Sequence, residues 1–216
     1  LTGVPPTAEE EYRAGHIPGA RFFDIDAIAD RGSTLPHMLP APEAFAEAVG
    51  RLGISNRTRV VVYDRPGLFS AGRVWWTFRA FGHDRVAVLD GGFKAWQAEG
   101  RPVETGAPAE AAASFRAVAR PALVRTREDM LANLGSRAEQ VIDARSRGRF
   151  DGAEAEARPG LRSGHIPGSL NLPFDRLTDP ATGRVRPSAE LERLFAVAGL
   201  DRTHPVVASC GSGITG

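Results

Sequence analysis

A six-residue segment occurs twice in this chain. Gly15-His16-Ile17-Pro18-Gly19-Ala20 returns as Gly164-His165-Ile166-Pro167-Gly168-Ser169, an offset of 149 residues (165 − 16). The surroundings follow. Arg21-Phe22-Phe23-Asp24-Ile25-Asp26 parallels Leu170-Asn171-Leu172-Pro173-Phe174-Asp175, and the apolar run Val60–Tyr63 ending at Asp64 parallels Val206–Ser209 ending at Cys210. Counted from each histidine, Asp64 lies 48 residues on (64 − 16) and Cys210 lies 45 on (210 − 165). Solenoid units run roughly 20–50 residues, so a period this long marks a duplicated domain instead.

Each copy alternates strand and helix signals. Pro42 to Leu52 is amphipathic, with Phe45, Val49 and Leu52 at helical spacing and Gly53 as its stop. Strands are expected at Val60–Tyr63 and Val86–Leu89, with a helix between them through Trp75, Phe78 and Phe81. The second copy is expected to open with a strand at Val141–Asp143, then to carry a helix at Ser188–Ala198 and a strand at Val206–Ala208. Alternation of this kind predicts an α/β fold, each domain a parallel sheet flanked by helices. The predicted boundaries are 1–105 for the first domain, a Pro- and Ala-rich linker over 106–123 containing Pro108 and Pro121, and 124–216 for the second. The first 15 residues read as loop. Only six residues follow Cys210, so both termini read as incomplete.

Composition narrows the function. The 27 basic and 26 acidic residues leave a formal charge of +1, without the basic excess that nucleic-acid binding needs. No run approaches the 18 or more apolar residues of a membrane helix, and no signal peptide is visible. A single cysteine excludes an internal disulfide and a multi-cysteine zinc site, and the histidines lack metal-ligand spacing. The expectations are no metal, no cofactor, no nucleic-acid partner, no membrane and a cytoplasmic location.

Ser209-Cys210-Gly211-Ser212-Gly213-Ile214-Thr215 follows directly on a buried-type strand. Ligands of parallel α/β sheets bind beyond the carboxyl ends of strands. Two glycines let the backbone turn tightly enough for successive N–H groups to face inward as an anion nest. Such a nest favours the thiolate over the thiol and lowers the free-cysteine pKa of about 8.5. The plain alternative is a buried cysteine at a strand-end turn.

The two Gly-His-Ile-Pro-Gly segments, Asp90-Gly91-Gly92-Phe93-Lys94-Ala95-Trp96 and the Cys-Gly-Ser-Gly-Ile-Thr loop resemble the two-domain rhodanese superfamily, and within it the mercaptopyruvate sulfurtransferases. The resemblance runs from about Glu10 to Thr215. It implies two tandem rhodanese-like domains, the first without a catalytic cysteine. It also implies a loop cysteine that accepts sulfane sulfur as a persulfide and passes it to a thiol such as thioredoxin or glutathione, or to cyanide. The donor it implies is 3-mercaptopyruvate, released as pyruvate. Thiosulfate-using relatives carry Arg and Lys after the cysteine, where this chain has Gly211 and Ser212.

Carried over by position, the resemblance makes Cys210 the nucleophile and Ser212 a proton-shuttling hydroxyl. Asp26 and His37 become an acid–base pair supplied by the first domain. Arg149 and Arg158 become the substrate-gripping pair, and Gly211, Gly213, Ile214 and Thr215 the remaining substrate-binding loop positions. Ile214 stands where valine is usual, and Gly216 where alanine is usual. Plainer roles exist for several residues. Asp26 is a candidate helix cap, and His37 can pack in its loop. His16 and His165, present in both copies, read as structural turn residues. His83 and His204 read as surface, Trp75, Trp76 and Trp96 as core, and Asp143 with Arg145 as a structural ion pair.

Other readings remain. A cysteine phosphatase needs an arginine six residues after its cysteine, where this chain has Gly216. A thiosulfate sulfurtransferase shares fold and chemistry, and a non-catalytic sulfur-sensing or binding module shares the fold.

Overall fold

The computed structural model describes residues 6–107, 110–156, 158 and 160–216. The chain divides into two compact units, Leu1–Arg120 and Pro121–Gly216.

The first element among the described residues of unit 1 is helix α1 (Ala8–Ala14), in a stretch that reads from sequence as loop. The Thr7 side chain accepts from the Glu10 N–H, and the Glu10 carboxylate accepts from the Thr7 N–H, a reciprocal cap that satisfies two orphan donors. The short helix α2 (Ile25–Ile28) is capped by Asp24, whose Oδ1 accepts from the N–H groups of Asp26 and Ala27, both at 3.0 Å. Helix α3 (Pro42–Arg51) starts on proline, which needs no amide partner there, and buries Phe45 and Val49 completely. Strand β1 (Val60–Val62), helix α4 (Ala71–Ala80) and strand β2 (Val86–Val88) follow, with β1 and β2 parallel and Val60 opposite Val86. Helix α5 (Gly92–Ala98) closes this run. Its entry requires glycine: Gly91 and Gly92 have φ of 79° and 53°, and a Cβ on Gly92 would run into the Asp64 carbonyl and the Gly67 backbone.

An aromatic cluster holds this unit together. The Phe45 ring stacks on Phe81 at 4.4 Å and meets Phe78 and Phe115 edge-on at 5.4 and 5.8 Å. Truncating such a buried ring costs about 3–5 kcal/mol. Phe115 belongs to the stretch read from sequence as linker. From residue 110 to Arg120 that stretch is built into unit 1, because Phe115 alternates into the core while backbone bonds tie Ala113 to Gly50 and Val118 to Phe81. Pro108 lies outside the described residues. The three tryptophans are not core. Each is only partly buried beneath an arginine: Arg79 lies over Trp75, Arg73 over Trp76 and Arg101 over Trp96. His83, expected on the surface, is 3% exposed between Phe78 and Phe115.

Unit 2 opens with a 3-10 turn at Pro121–Leu123 and helix α6 (Arg127–Ser136), both ahead of the strand expected to come first. Thr126 and Asp129 repeat the reciprocal cap of α1. Strand β3 (Gln140–Asp143), helix α7 (Arg147–Phe150), strand β4 (Leu170–Asn171), helix α8 (Ser188–Ala198) and strand β5 (Val206–Ser209) complete it. The sheet order is β4-β3-β5, parallel throughout, with Asp143 opposite both Asn171 and Ser209. Asp143 and Ser209 therefore end neighbouring strands at the same level, and the cysteine loop leaves the sheet beside the segment that follows Asp143. No helix among the described residues is long and apolar enough to cross a membrane.

Candidate active site

Cys210 is the first residue after β5. Gly213, at φ 73°, turns the chain back so that its N–H donates to the Cys210 Sγ at 3.1 Å. Burial pushes the thiol pKa up. The Ser212 N–H, the hydroxyl and N–H of Thr215 and the Gly213 N–H push it down, and together they prevail, so Cys210 titrates below an ordinary cysteine. Ile214 is 4% exposed, so its side chain is buried within the fold.

Arg149 lies near the end of α7, whose Ser146 cap accepts from the Arg149 N–H. Its guanidinium lies against Gly211: its Nη2 occupies the space that a Cβ there would need. Arg149 and the cysteine loop are thus brought together. Behind the arginine stands Glu156, which sequence reasoning missed. Its side chain is 4% exposed, and its carboxylate takes Arg149 Nη2 on Oε2 and Arg145 Nη1 on Oε1, each at 2.5 Å. The hydrogen bond from Arg149 is the first cause holding Glu156 below the usual carboxylate range, opposed by burial. Arg145 also grips Asp143 through Nε and Nη2, the structural ion pair that sequence suggested. Arg158, two residues beyond Glu156 in sequence, is partly buried; its chain neighbours lie outside the described residues.

In unit 1, His37 Nε2 lies 2.9 Å from Asp26 Oδ1, with the imidazole 6% exposed and the carboxylate 53%. Asp24, not Asp26, does the capping. His37 has φ 54°, unusual for a residue with a side chain, and its carbonyl accepts from Arg73. The two turn histidines are alike. His16 stacks on Tyr12 and His165 on Phe150, each with Nδ1 on the carbonyl of the ring beneath it. His204 is exposed. Among the described residues no three His, Cys, Asp or Glu side chains gather as metal ligands.

Two parallel-sheet units and a strand-end cysteine in a ring of amide donors define a class, and the family comparison agrees. The rhodanese-like domain model matches residues 7–99 and again 126–216. The chain belongs to the rhodanese-like domain family. It is 48% identical to human 3-mercaptopyruvate sulfurtransferase over 210 residues, covering 96% of this chain and 70% of that protein. It is 46% identical to chicken thiosulfate sulfurtransferase, covering 96% and 72%. The crystal structure of SseA from Escherichia coli, a 3-mercaptopyruvate sulfotransferase, superposes with a TM-score of 0.88 at 42% identity, covering 97% of this chain and 78% of that one.

Proposed function

We propose that this protein is a sulfurtransferase that takes sulfur from 3-mercaptopyruvate onto Cys210 and releases pyruvate. The observation that carries the reading is the 48% identity to the human 3-mercaptopyruvate sulfurtransferase across 96% of the chain. The lowered thiol pKa of Cys210 supports it, since the thiolate is the nucleophile.

In this mechanism the Cys210 thiolate attacks the donor sulfur and a sulfur–sulfur bond forms. The carbon–sulfur bond breaks, and its electron pair passes to carbon as the enolate of pyruvate. A proton then completes pyruvate. Arg149 and Arg158 hold the carboxylate and stabilise the developing enolate charge. Ser212 and the Asp26–His37 pair move protons, a role assigned through the family resemblance. Gly211, Gly213, Ile214 and Thr215 shape the loop that cradles the persulfide. A thiol such as thioredoxin or glutathione, or cyanide, then takes the outer sulfur. A reducing compartment such as the cytoplasm suits a cycle that returns Cys210 to its thiol.

Thiosulfate is the second donor to weigh, because a thiosulfate sulfurtransferase is 46% identical. Gly211, Ser212 and Gly213 put no cation inside the loop, which favours the monoanionic keto acid over the dianion. Steady-state rates with both donors, alongside intact-mass analysis, test the reading. Mercaptopyruvate is expected to add one sulfur atom to the native chain and none to Cys210→Ser, and to lead in kcat/KM by roughly 30- to 160-fold, the equivalent of about 2–3 kcal/mol. Faster turnover with thiosulfate would reassign the donor.

A further inference from the structure

We propose that Glu156 is a positioning residue for donor binding, holding the Arg149 guanidinium in place against the cysteine loop. The inference rests on the reading of Arg149 as a donor-binding residue. Its basis is a continuous chain of contacts within unit 2. Asp143, at the end of β3, grips Arg145, and Arg145 donates to Glu156 Oε1 and to the Gly164 carbonyl. Glu156 Oε2 takes Arg149 Nη2, and that nitrogen fills the space beside Gly211. A fixed point of the sheet is thereby connected to the loop that carries Cys210.

Burial argues for more than a surface ion pair. The Glu156 side chain is 4% exposed, and a buried carboxylate is costly unless paired. Here both oxygens are paired, one with each arginine. Among the described residues Arg149 makes a side-chain hydrogen bond only through Nη2, to Glu156, which leaves Nη1 for a bound carboxylate. An arginine held in advance gives up less freedom when a ligand arrives, and ordering a long side chain costs about 0.5–1.5 kcal/mol. Losing that advance fixing corresponds to a rise in KM of roughly two- to thirteenfold.

The test is a kinetic cycle with mercaptopyruvate on the full chain, using Glu156→Gln, Arg149→Ala and the double variant, with thermal unfolding of each. Glutamine keeps the size and removes the charge. Expected is a several-fold higher KM for Glu156→Gln, with any loss of kcat no larger than that of Arg149→Ala, and no further rise in KM when it is added to Arg149→Ala. Glu156→Asp, which keeps the charge, should recover part of the loss. It serves as the test variant should glutamine prevent folding, with a raised KM at unchanged melting temperature as its expected result. If Arg149→Ala raises KM while Glu156→Gln does not, the positioning role is overturned and Arg149 keeps its assignment. The role falls equally if Glu156→Gln lowers stability alone, or if its effect adds fully to that of Arg149→Ala. An unchanged KM in Arg149→Ala removes the reading of Arg149 itself, and the inference with it.

Discussion

The carboxylate of Asp64 and the sulfur of Cys210 occupy equivalent loops and collect the same kind of donor. Asp64 Oδ1 accepts the Gly67 N–H at 2.8 Å, and Oδ2 accepts those of Phe69, Ser70 and Ala71 at 2.7, 2.6 and 2.9 Å. Cys210 draws on the N–H groups of Ser212, Gly213 and Thr215. Unit 1 thus fills its donor ring with a carboxylate, while unit 2 fills it with a sulfur that can react.

Removing that carboxylate leaves several amides without an acceptor. Asp64→Ala is expected to lower the stability of unit 1 by about 2 kcal/mol, with Asp64→Asn losing less because its amide oxygen still accepts. Urea unfolding measures this. A midpoint unchanged in Asp64→Ala would mean that water replaces the carboxylate at no cost.

The Cys210 loop makes a pH prediction. Alkylation by iodoacetamide should follow a titration whose midpoint lies below the free-thiol value of about 8.5. The thiolate is present above that midpoint and is lost as pH falls through it. Thr215→Val removes one hydroxyl donor and should move the midpoint upward. A midpoint that stays put would assign the shift to the backbone alone.

Gly211 separates binding from folding. Its φ is not in the left-handed region, so alanine fits the backbone, but the new methyl displaces the end of the Arg149 side chain. Gly211→Ala should keep its melting temperature and a reactive Cys210 while kcat/KM for mercaptopyruvate falls about tenfold, near 1.4 kcal/mol. Native kinetics in this variant would show that Arg149 need not sit where it does.

His83 sets an acid limit on unit 1. Burial, the largest cause, holds its pKa below the ordinary value, against the backbone groups of Thr58 and Arg85 and the charge of Asp84, while Arg85's charge lowers it further. The folded state therefore favours neutral His83. Its contribution is full above about pH 6.5 and is lost as pH falls through the lower folded value. Melting temperature should drop as pH falls below about 6.5, and His83→Phe should flatten that drop. Parallel curves for the two proteins would place the acid sensitivity elsewhere.

Much of the fold was legible because the repeat aligned Val60–Tyr63 with the strand before Cys210, so one copy vouched for the other. Helices α1 and α6 were overlooked although Thr7 with Glu10 and Thr126 with Asp129 have the spacing of a reciprocal cap. That signal is local and lies in the sequence itself. Glu156 had none: it is one of two glutamates in an alanine-rich stretch, and only folding brings it between two arginines. The tryptophans misled because an apolar ring at helical spacing reads as core, whereas an arginine laid over each ring does the covering from outside. His83 could not be told from a surface histidine until Phe115 arrived from a segment that resembled a linker.

The paired turn histidines have a consequence for how the two copies differ in length. In unit 1 the ring beneath the histidine lies four residues upstream, and in unit 2 it lies fifteen upstream, yet stacking distance and carbonyl contact are nearly the same. The extra chain in the second copy is bracketed by a clamp that closes whatever lies between its jaws. Glu156 and Arg158 both fall inside that bracket. The segment between Phe150 and His165, with Glu156 and Arg158 in it, therefore leaves and re-enters unit 2 at two points held one ring's thickness apart.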